Sequence, residues 1–295
     1  MIKKIFYSQK IAPYVFILPF VITVLFFWIV PIGNGFLLSF QDVLKNEWVG
    51  VKNFRRILTD GVFYKAIGNS LRYMLGTLVL LIPFPLLFAS LLNSKLMKKA
   101  DFFKSLYFLP ALTSVVVAGI IFRFMFGELD SSLANRIIAL FGKSPIKWLH
   151  GQYTGYFALL LVCCWRWTGV NILYFLAGLQ SIPKDLYESA AIDGASGWKQ
   201  FTKISFPLVK PTTIYVLTIS IYAGLSMFNE SYMLWHGNNS PNNVGLTIVG
   251  YLYRQGVEKR AMGYACAVGL VLLFLIMIVN MLQLFINGTF KKEER

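Results

Sequence analysis

Between two long apolar runs, the chain carries a polar segment that reads Tyr187-Glu188-Ser189-Ala190-Ala191-Ile192-Asp193-Gly194-Ala195 and is followed by Ile204-Ser205-Phe206-Pro207. The spacing of the two parts is E-S-A-x3-G-x9-I-x-F-P. Pro183 and the polar turn Lys184-Asp185 are typical of a helix start, and Gly194 allows a tight turn. Because further Gly and Pro residues then interrupt the chain, the segment predicts a short helix, a turn and a second short helix.

The composition indicates an integral membrane protein. Of the 295 residues, 57% are hydrophobic and 14% are charged, and the mean hydropathy is +0.62, whereas a soluble domain carries roughly 25% charged residues. The net charge is +15, but the basic residues lie mostly in short loops, where they orient a membrane protein and meet anionic headgroups. The charge therefore does not indicate a nucleic-acid-binding protein.

Six stretches reach the length of roughly 20 mostly apolar residues that a bilayer span requires. The first follows Lys3, Lys4 and Lys10, but it is too long for a signal peptide and no small-residue cleavage pattern follows it, so we expect an uncleaved span. We predict an all-α membrane protein with six transmembrane helices at approximately 11–40, 70–92, 105–126, 154–179, 212–235 and 262–287.

The distribution of Lys and Arg favours cytoplasmic N- and C-termini. The N-terminus and the loop after the second span, which contains Lys95, Lys98, Lys99 and Lys104, are the most informative basic regions. In this orientation we predict a cytoplasmic N-terminal segment over residues 1–10, a transmembrane domain over 11–288 and a cytoplasmic tail over 289–295. The polar segment then lies in the cytoplasm as well.

The spacing of the polar segment resembles the EAA loop of ABC-importer permeases, whose pattern is E-A-A-x3-G-x9-I-x-L-P. Ser189 replaces an Ala of that pattern and Phe206 replaces its Leu. We call residues 180–210 the coupling segment, because the resemblance implies that a separate ATPase moves the membrane channel through it. The residues to which the resemblance assigns this coupling are Glu188, Ser189, Ala190, Asp193, Gly194, Ile204, Phe206 and Pro207.

Other motifs extend the resemblance over nearly the whole chain. Those typical of the MalF-like carbohydrate-uptake branch are Leu179-Gln180-Ser181-Ile182-Pro183, Tyr107-Phe108-Leu109-Pro110, the turn Trp235-His236-Gly237-Asn238-Asn239-Ser240-Pro241 with Leu246-Thr247, and Gly263-Tyr264-Ala265-Cys266-Ala267. Those similar to arabinose and arabino-oligosaccharide permeases of Gram-positive bacteria, or to permeases for other plant oligosaccharides, are Trp165-Arg166-Trp167, Phe228-Asn229-Glu230-Ser231-Tyr232 and Phe290-Lys291-Lys292-Glu293.

The resemblance implies an ABC importer type I permease bundle that is not itself an enzyme. The implied partners are a second homologous permease, a dimer of ATPase subunits that uses ATP and Mg, and an extracellular sugar-binding lipoprotein. This chain would bind no cofactor. Gly142-Lys143-Ser144 looks like the end of a phosphate-binding loop, but position 137 is Ile rather than the first Gly of that motif.

A sugar site needs aromatic rings that stack on the sugar and amide or carboxylate groups that bind hydroxyls. The resemblance places sugar contacts at the end of the fifth span, which makes Asn229, Glu230 and Tyr232 the first candidates. Further candidates along the substrate path are Trp167, Gly169 and Asn171 on the fourth span and Ser114 on the third.

Arg166 lies near the middle of the fourth span, where a charge should face the bundle interior or a wet cavity. It is therefore a candidate for the sugar path, or alternatively for a structural clamp. Glu230 is a conceivable ion-pair partner, although we expect it nearer the outer face. An ion-gradient-driven sugar carrier is the alternative function, because Glu230 supplies a titratable intramembrane group, but the internal repeats common in such carriers are not found.

The three cysteines, Cys163, Cys164 and Cys266, lie in apolar stretches and are predicted to be small core residues rather than disulfide partners. The two histidines, His150 and His236, have no Cys or carboxylate cluster at ligand spacing, so we predict no metal site.

Overall fold

The computed structural model describes residues 9–94, 97 and 99–289. Most of the predicted N-terminal segment and tail lies outside these residues, as do Lys3, Lys4, Lys95, Lys98 and the motif Phe290-Lys291-Lys292-Glu293. The described chain is mainly helical, which confirms the predicted all-α fold. It divides into two compact units.

The first unit comprises the chain up to Asp60 together with Leu252–Leu272. It begins with a long apolar helix, α1 (Ala12–Val24), which continues through a π turn (Leu25–Ile29) into α2 (Val30–Leu38). A small antiparallel hairpin pairs β1 (Gln41–Asp42) with β2 (Glu47–Trp48). Its remaining elements are α3 (Lys52–Thr59), a π turn (Arg254–Glu258), and parts of α15 (Ile248–Tyr253) and α16 (Met262–Ile286).

Short-range polar contacts hold this unit together behind the hairpin. Asn53 donates from Nδ2 to the carbonyls of Ser39 (2.9 Å) and Gln41 (3.1 Å), and the Phe40 ring stacks on Trp48 at 5.7 Å. The Tyr264 hydroxyl donates to Asp60 Oδ2 at 3.1 Å. These contacts fix the chain where it leaves the first apolar helix.

The second unit comprises Gly61–Tyr251 and the chain from Leu273 onward. Its helices before the coupling segment are α4 (Gly61–Leu81), α5 (Pro83–Asn93), α6 (Ala100–Leu112), α7 (Val115–Met125), α8 (Leu133–Ala139) and α9 (Gln152–Gln180). Those that follow are α10 (Lys184–Ile192), α11 (Gly197–Gln200), a π turn (Phe201–Ser205), α12 (Phe206–Leu208), α13 (Lys210–Leu225), α14 (Asn229–Leu234) and a 3-10 turn (Pro241–Asn243).

Helix α9 is the centre of the second unit, since it packs against α4, α5, α6, α7, α13 and α14. Around its first half lies a core that includes Tyr73, Phe122 and Val162. Around its second half lies another that includes Ile172, Phe175 and Val216. The second core reaches the coupling segment and thereby supports it.

Four helices are long and apolar enough to cross a membrane: Ala12–Leu38, Gly61–Asn93, Gln152–Gln180 and Met262–Ile286. Two further pairs, Ala100–Leu112 with Val115–Met125 and Gly197–Leu208 with Lys210–Leu225, meet at 93° and 64°. The described residues therefore provide six spans if each bent pair is one span, which agrees with the predicted number.

Two predicted spans are wrong as continuous helices. The third breaks at Thr113, whose backbone is extended, and Ser114 starts a new helix because its Oγ accepts from the Val116 amide at 3.3 Å. The fifth ends at Leu225 rather than continuing to residue 235, and the chain reverses before α14 begins at Asn229. An unbroken apolar pattern gives the composition of a span but not its direction.

Candidate functional site

The coupling segment forms the helix, turn and second helix expected from its sequence. Helix α10 begins after Pro183 and ends at Ile192, with Asp193 as its C-cap. Gly194 follows in the left-handed region (φ +73°), and the Ala195 amide donates to the Ala190 carbonyl at 2.9 Å. Gly adopts this conformation without steric cost, so the turn explains the Gly at this position.

One side of the segment is attached to the bundle. The Tyr187 hydroxyl is 2.8 Å from the Oγ of Ser205, which is buried. Tyr187, Phe201 and Ile204 pack against the core around the second half of α9. A displacement of α10 is therefore transmitted directly to that core.

The other side of the segment is exposed. Glu188, Ser189, Asp193 and Gly194 face outward, as do Phe206 and Pro207, whereas Ala190 and Ile204 are half-buried. The most exposed large apolar side chains are Ile192 at 88% and Trp198 at 70%. Exposed apolar side chains surrounded by polar groups mark an interaction surface. The sequence prediction missed these two, although both stand out as large apolar residues within a polar segment.

The second cluster of predicted residues is an ion pair inside the helix bundle. Arg166 Nη1 lies 2.9 Å from Glu230 Oε1, and the side chains are 12% and 10% exposed. The Trp167 indole also donates to Glu230 Oε1 at 3.3 Å, and its ring lies 5.5 Å from the guanidinium carbon. The expected pairing exists, because each charge needs a partner at this depth.

The expected position of Glu230 nearer the outer face than Arg166 is wrong. Arg166 is at the midpoint of α9, and Glu230 is in the first turn of α14, which packs against both α7 and α9. The break after Leu225 returns the chain toward the bundle interior, so Glu230 reaches the level of Arg166. Asn229 is exposed beside this pair, and Tyr232 is half-buried with its ring 5.1 Å from Phe228.

The remaining predicted path residues lie in packing or capping contacts. Asn171 is buried and donates from Nδ2 to the Leu81 carbonyl at 2.8 Å. A Cβ on Gly169 would lie 1.9 Å from the Tyr107 carbonyl oxygen, so this Gly permits the close approach of α6 and α9. Ser114 caps α7. The structure thus brings Arg166, Trp167 and Glu230 together, and the other three lie elsewhere in the second unit.

Comparison with known proteins places the whole chain in one context. The sequence profile described as "Binding-protein-dependent transport system inner membrane component" matches residues 5–292. The "Arabinooligosaccharides transport system permease protein AraP" of Bacillus subtilis (strain 168) is 53% identical over 293 residues, which are 99% of this chain and 93% of that protein. The protein of the same name from Halalkalibacterium halodurans is 45% identical, over 98% of this chain and 92% of its own length.

A solved structure extends the comparison to the fold. The crystal structure of a bacterial alginate ABC transporter in complex with an alginate pentasaccharide-bound periplasmic protein contains a similar chain. The TM-score is 0.86 at 22% identity, and the match covers 98% of this chain and 99% of that chain. The helix arrangement described above is therefore the ABC importer permease fold.

Proposed function

The chain belongs to the binding-protein-dependent transport system inner membrane components, and we propose that it forms half of a sugar path that a separate ATPase drives through the coupling segment. The predicted ABC importer permease family and multi-pass membrane location are confirmed by this membership. The observation that carries the proposal is the exposed face of α10 and α11 on a segment whose other face is packed into the bundle.

In this proposal the partners are a second homologous permease, two ATPase subunits and an external sugar-binding lipoprotein. The ATPase receives Ile192 and Trp198 in an apolar groove, and Glu188 and Asp193 meet basic residues at its rim. ATP and the loaded binding protein both favour the outward-open state, and this shared preference is what couples hydrolysis to import. Neither ATP nor Mg is bound by this chain.

For the substrate we propose an arabino-oligosaccharide. The 53% identity to a permease named for arabinooligosaccharides, over nearly the full chain, supports it. Asn229, Glu230 and Tyr232 remain the first candidates for sugar contacts, with Arg166, Trp167, Gly169, Asn171 and Ser114 after them. Because Glu230 already holds Arg166, a sugar hydroxyl at this point would bind to the pair rather than to a free carboxylate.

Uptake of labelled sugars by cells with and without this gene tests the substrate. We expect deletion to abolish uptake of arabinotriose, and the restored gene to recover it. Arabinose and maltotriose are the comparison sugars. Loss of maltotriose uptake with arabinotriose uptake unchanged would contradict the proposed substrate without affecting the family.

The coupling role is tested by isolating the tagged chain from its membrane in mild detergent. We expect a second permease and an ATPase to be recovered with it. The double substitution Glu188→Lys with Gly194→Asp should remove the ATPase and keep the permease. The matched control is Glu47→Lys with Gly142→Asp, which changes another exposed Glu and another Gly of positive φ (+68°). Retention of the ATPase by the coupling variant would refute this role.

A further inference from the structure

A groove of about 600 Å³ lies in the second unit between α4 and the first turns of α9. Its long walls are aliphatic and include Leu75, Val79, Leu80 and Leu160. Val79 is 68% exposed and Leu75 57% exposed, so the groove is open along one side. Its size suits a small-molecule site, but its opening faces the apolar surface of two membrane-spanning helices.

The polar end of this groove lies at a membrane boundary. Arg72 lines the groove and is the last charged residue before the uncharged run 73–94. Tyr153 and Tyr156 line it at the beginning of α9, where the uncharged run 151–165 starts. Tyr and Arg at the ends of apolar runs mark the headgroup level of a bilayer. Since α9 crosses the membrane toward the coupling segment, this level is on the opposite side of the membrane.

The polar groups in the groove are unsuited to a sugar. The Tyr156 hydroxyl donates to the carbonyl of Arg72. The Asn69 amide donates to the carbonyls of Asn243 (2.8 Å) and Leu246 (3.0 Å). With these groups engaged, the guanidinium of Arg72, which is 3.5 Å from Asn69 Oδ1, is the charged group at the mouth of an aliphatic channel.

We propose that this groove binds one anionic phospholipid, with an acyl chain along α4 and α9 and the phosphate on Arg72. A guanidinium recognises phosphate by charge-assisted, often bidentate hydrogen bonds. An acyl chain gains little by moving from bilayer to groove, because lipid tails are as apolar as Leu. Preference for one lipid must therefore come from the headgroup, and Arg72 determines it.

A photo-crosslinking residue at Val79 tests this in the complete transporter complex. Benzoylphenylalanine replaces Val79, the complex is placed in vesicles of phosphatidylglycerol and phosphatidylethanolamine, and the lipid attached after irradiation is identified by its mass. We expect phosphatidylglycerol to be enriched at least five-fold over its share of the vesicle. The same residue at Leu91, which is exposed on α5 outside the groove, should report the vesicle composition.

Substitutions then assign the enrichment to Arg72. Arg72→Gln should reduce it to the vesicle composition, whereas Arg72→Lys and the control Lys65→Gln should retain most of it. Raising the salt concentration should also reduce it in the unsubstituted chain, since exposed charges are screened. That measurement needs no variant and remains informative if Arg72→Gln does not assemble.

Two results would overturn the proposal. Attachment of the Val79 probe to a partner polypeptide, seen as a band of summed mass, would make the groove a protein interface. Lipid attached in the vesicle's own proportions, with or without Arg72, would make it ordinary bilayer contact.

Discussion

At the scale of single residues, the Arg166–Glu230 pair is the most consequential contact in the second unit. A charge near the middle of a spanning helix is tolerated when a partner compensates it, and the Trp167 indole adds a third group to the same carboxylate oxygen. The pair joins α9 to α14. It therefore fixes the short helix that follows the break after Leu225.

Replacing Arg166 with Leu should destabilise the chain, because Glu230 then remains buried without its partner. Breaking one side of a buried pair costs about 3–5 kcal/mol in proteins, whereas replacing both sides by apolar groups is often neutral. We expect R166L to lower the melting temperature of the purified complex, and R166L with E230L to recover most of it. Arg123→Leu, at an exposed position, should have little effect.

Sugar uptake by the same variants separates the two roles of the pair. If the double variant melts like the unsubstituted protein but does not import, the pair participates in transport. Full recovery of both properties would make it a structural clamp only. A single variant that melts normally would contradict the destabilisation argued here.

At the scale of elements, the coupling segment presents two faces with different expected sensitivities. Ile192→Ser removes an exposed apolar side chain and should leave the melting temperature of the chain unchanged, since no burial is lost. We expect it to weaken retention of the ATPase and to lower import. Leu140→Ser is the matched control, because Leu140 is also largely exposed and lies outside the segment. An equal effect of both substitutions would contradict a specific interface at Ile192.

The crossing of α6 and α9 gives another prediction at this scale. Gly169→Ala places a methyl group against the Tyr107 carbonyl and should cost roughly 1–3 kcal/mol through overpacking. We expect a reduced yield of monodisperse protein. Gly33→Ala in α2 has open space and should be tolerated. Normal yield with lost sugar uptake would instead place Gly169 in the substrate path.

At the scale of the whole molecule, the predicted orientation puts the coupling segment and both termini in the cytoplasm. A single cysteine can test this after the three native cysteines are replaced. We expect an impermeant maleimide to label intact cells with cysteine at Gly142 and not with cysteine at Ser189. Ser189 should become reactive only after the membrane is opened, and the reverse pattern would invert the predicted topology.

The parts of the fold that local sequence determines were predictable. The helix–turn–helix of residues 184–200 follows from Pro183, Gly194 and Ser196, which act on their immediate neighbours. The position of Glu230 was not predictable, because it depends on a break four residues earlier and on a partner 64 residues away. The bend before Ser114 was missed for a similar reason, since hydropathy does not encode the direction of a helix.

The first apolar helix, Ala12–Leu38, has none of its most apolar 18-residue window buried within the chain. Its backbone hydrogen bonds are internal, and its side chains require only lipid around them. Such a helix can enter the bilayer as soon as the ribosome has released it, before any tertiary structure exists. The growing polypeptide is then tethered to the membrane while its later spans are still being translated, which keeps them close to the only solvent in which they can fold.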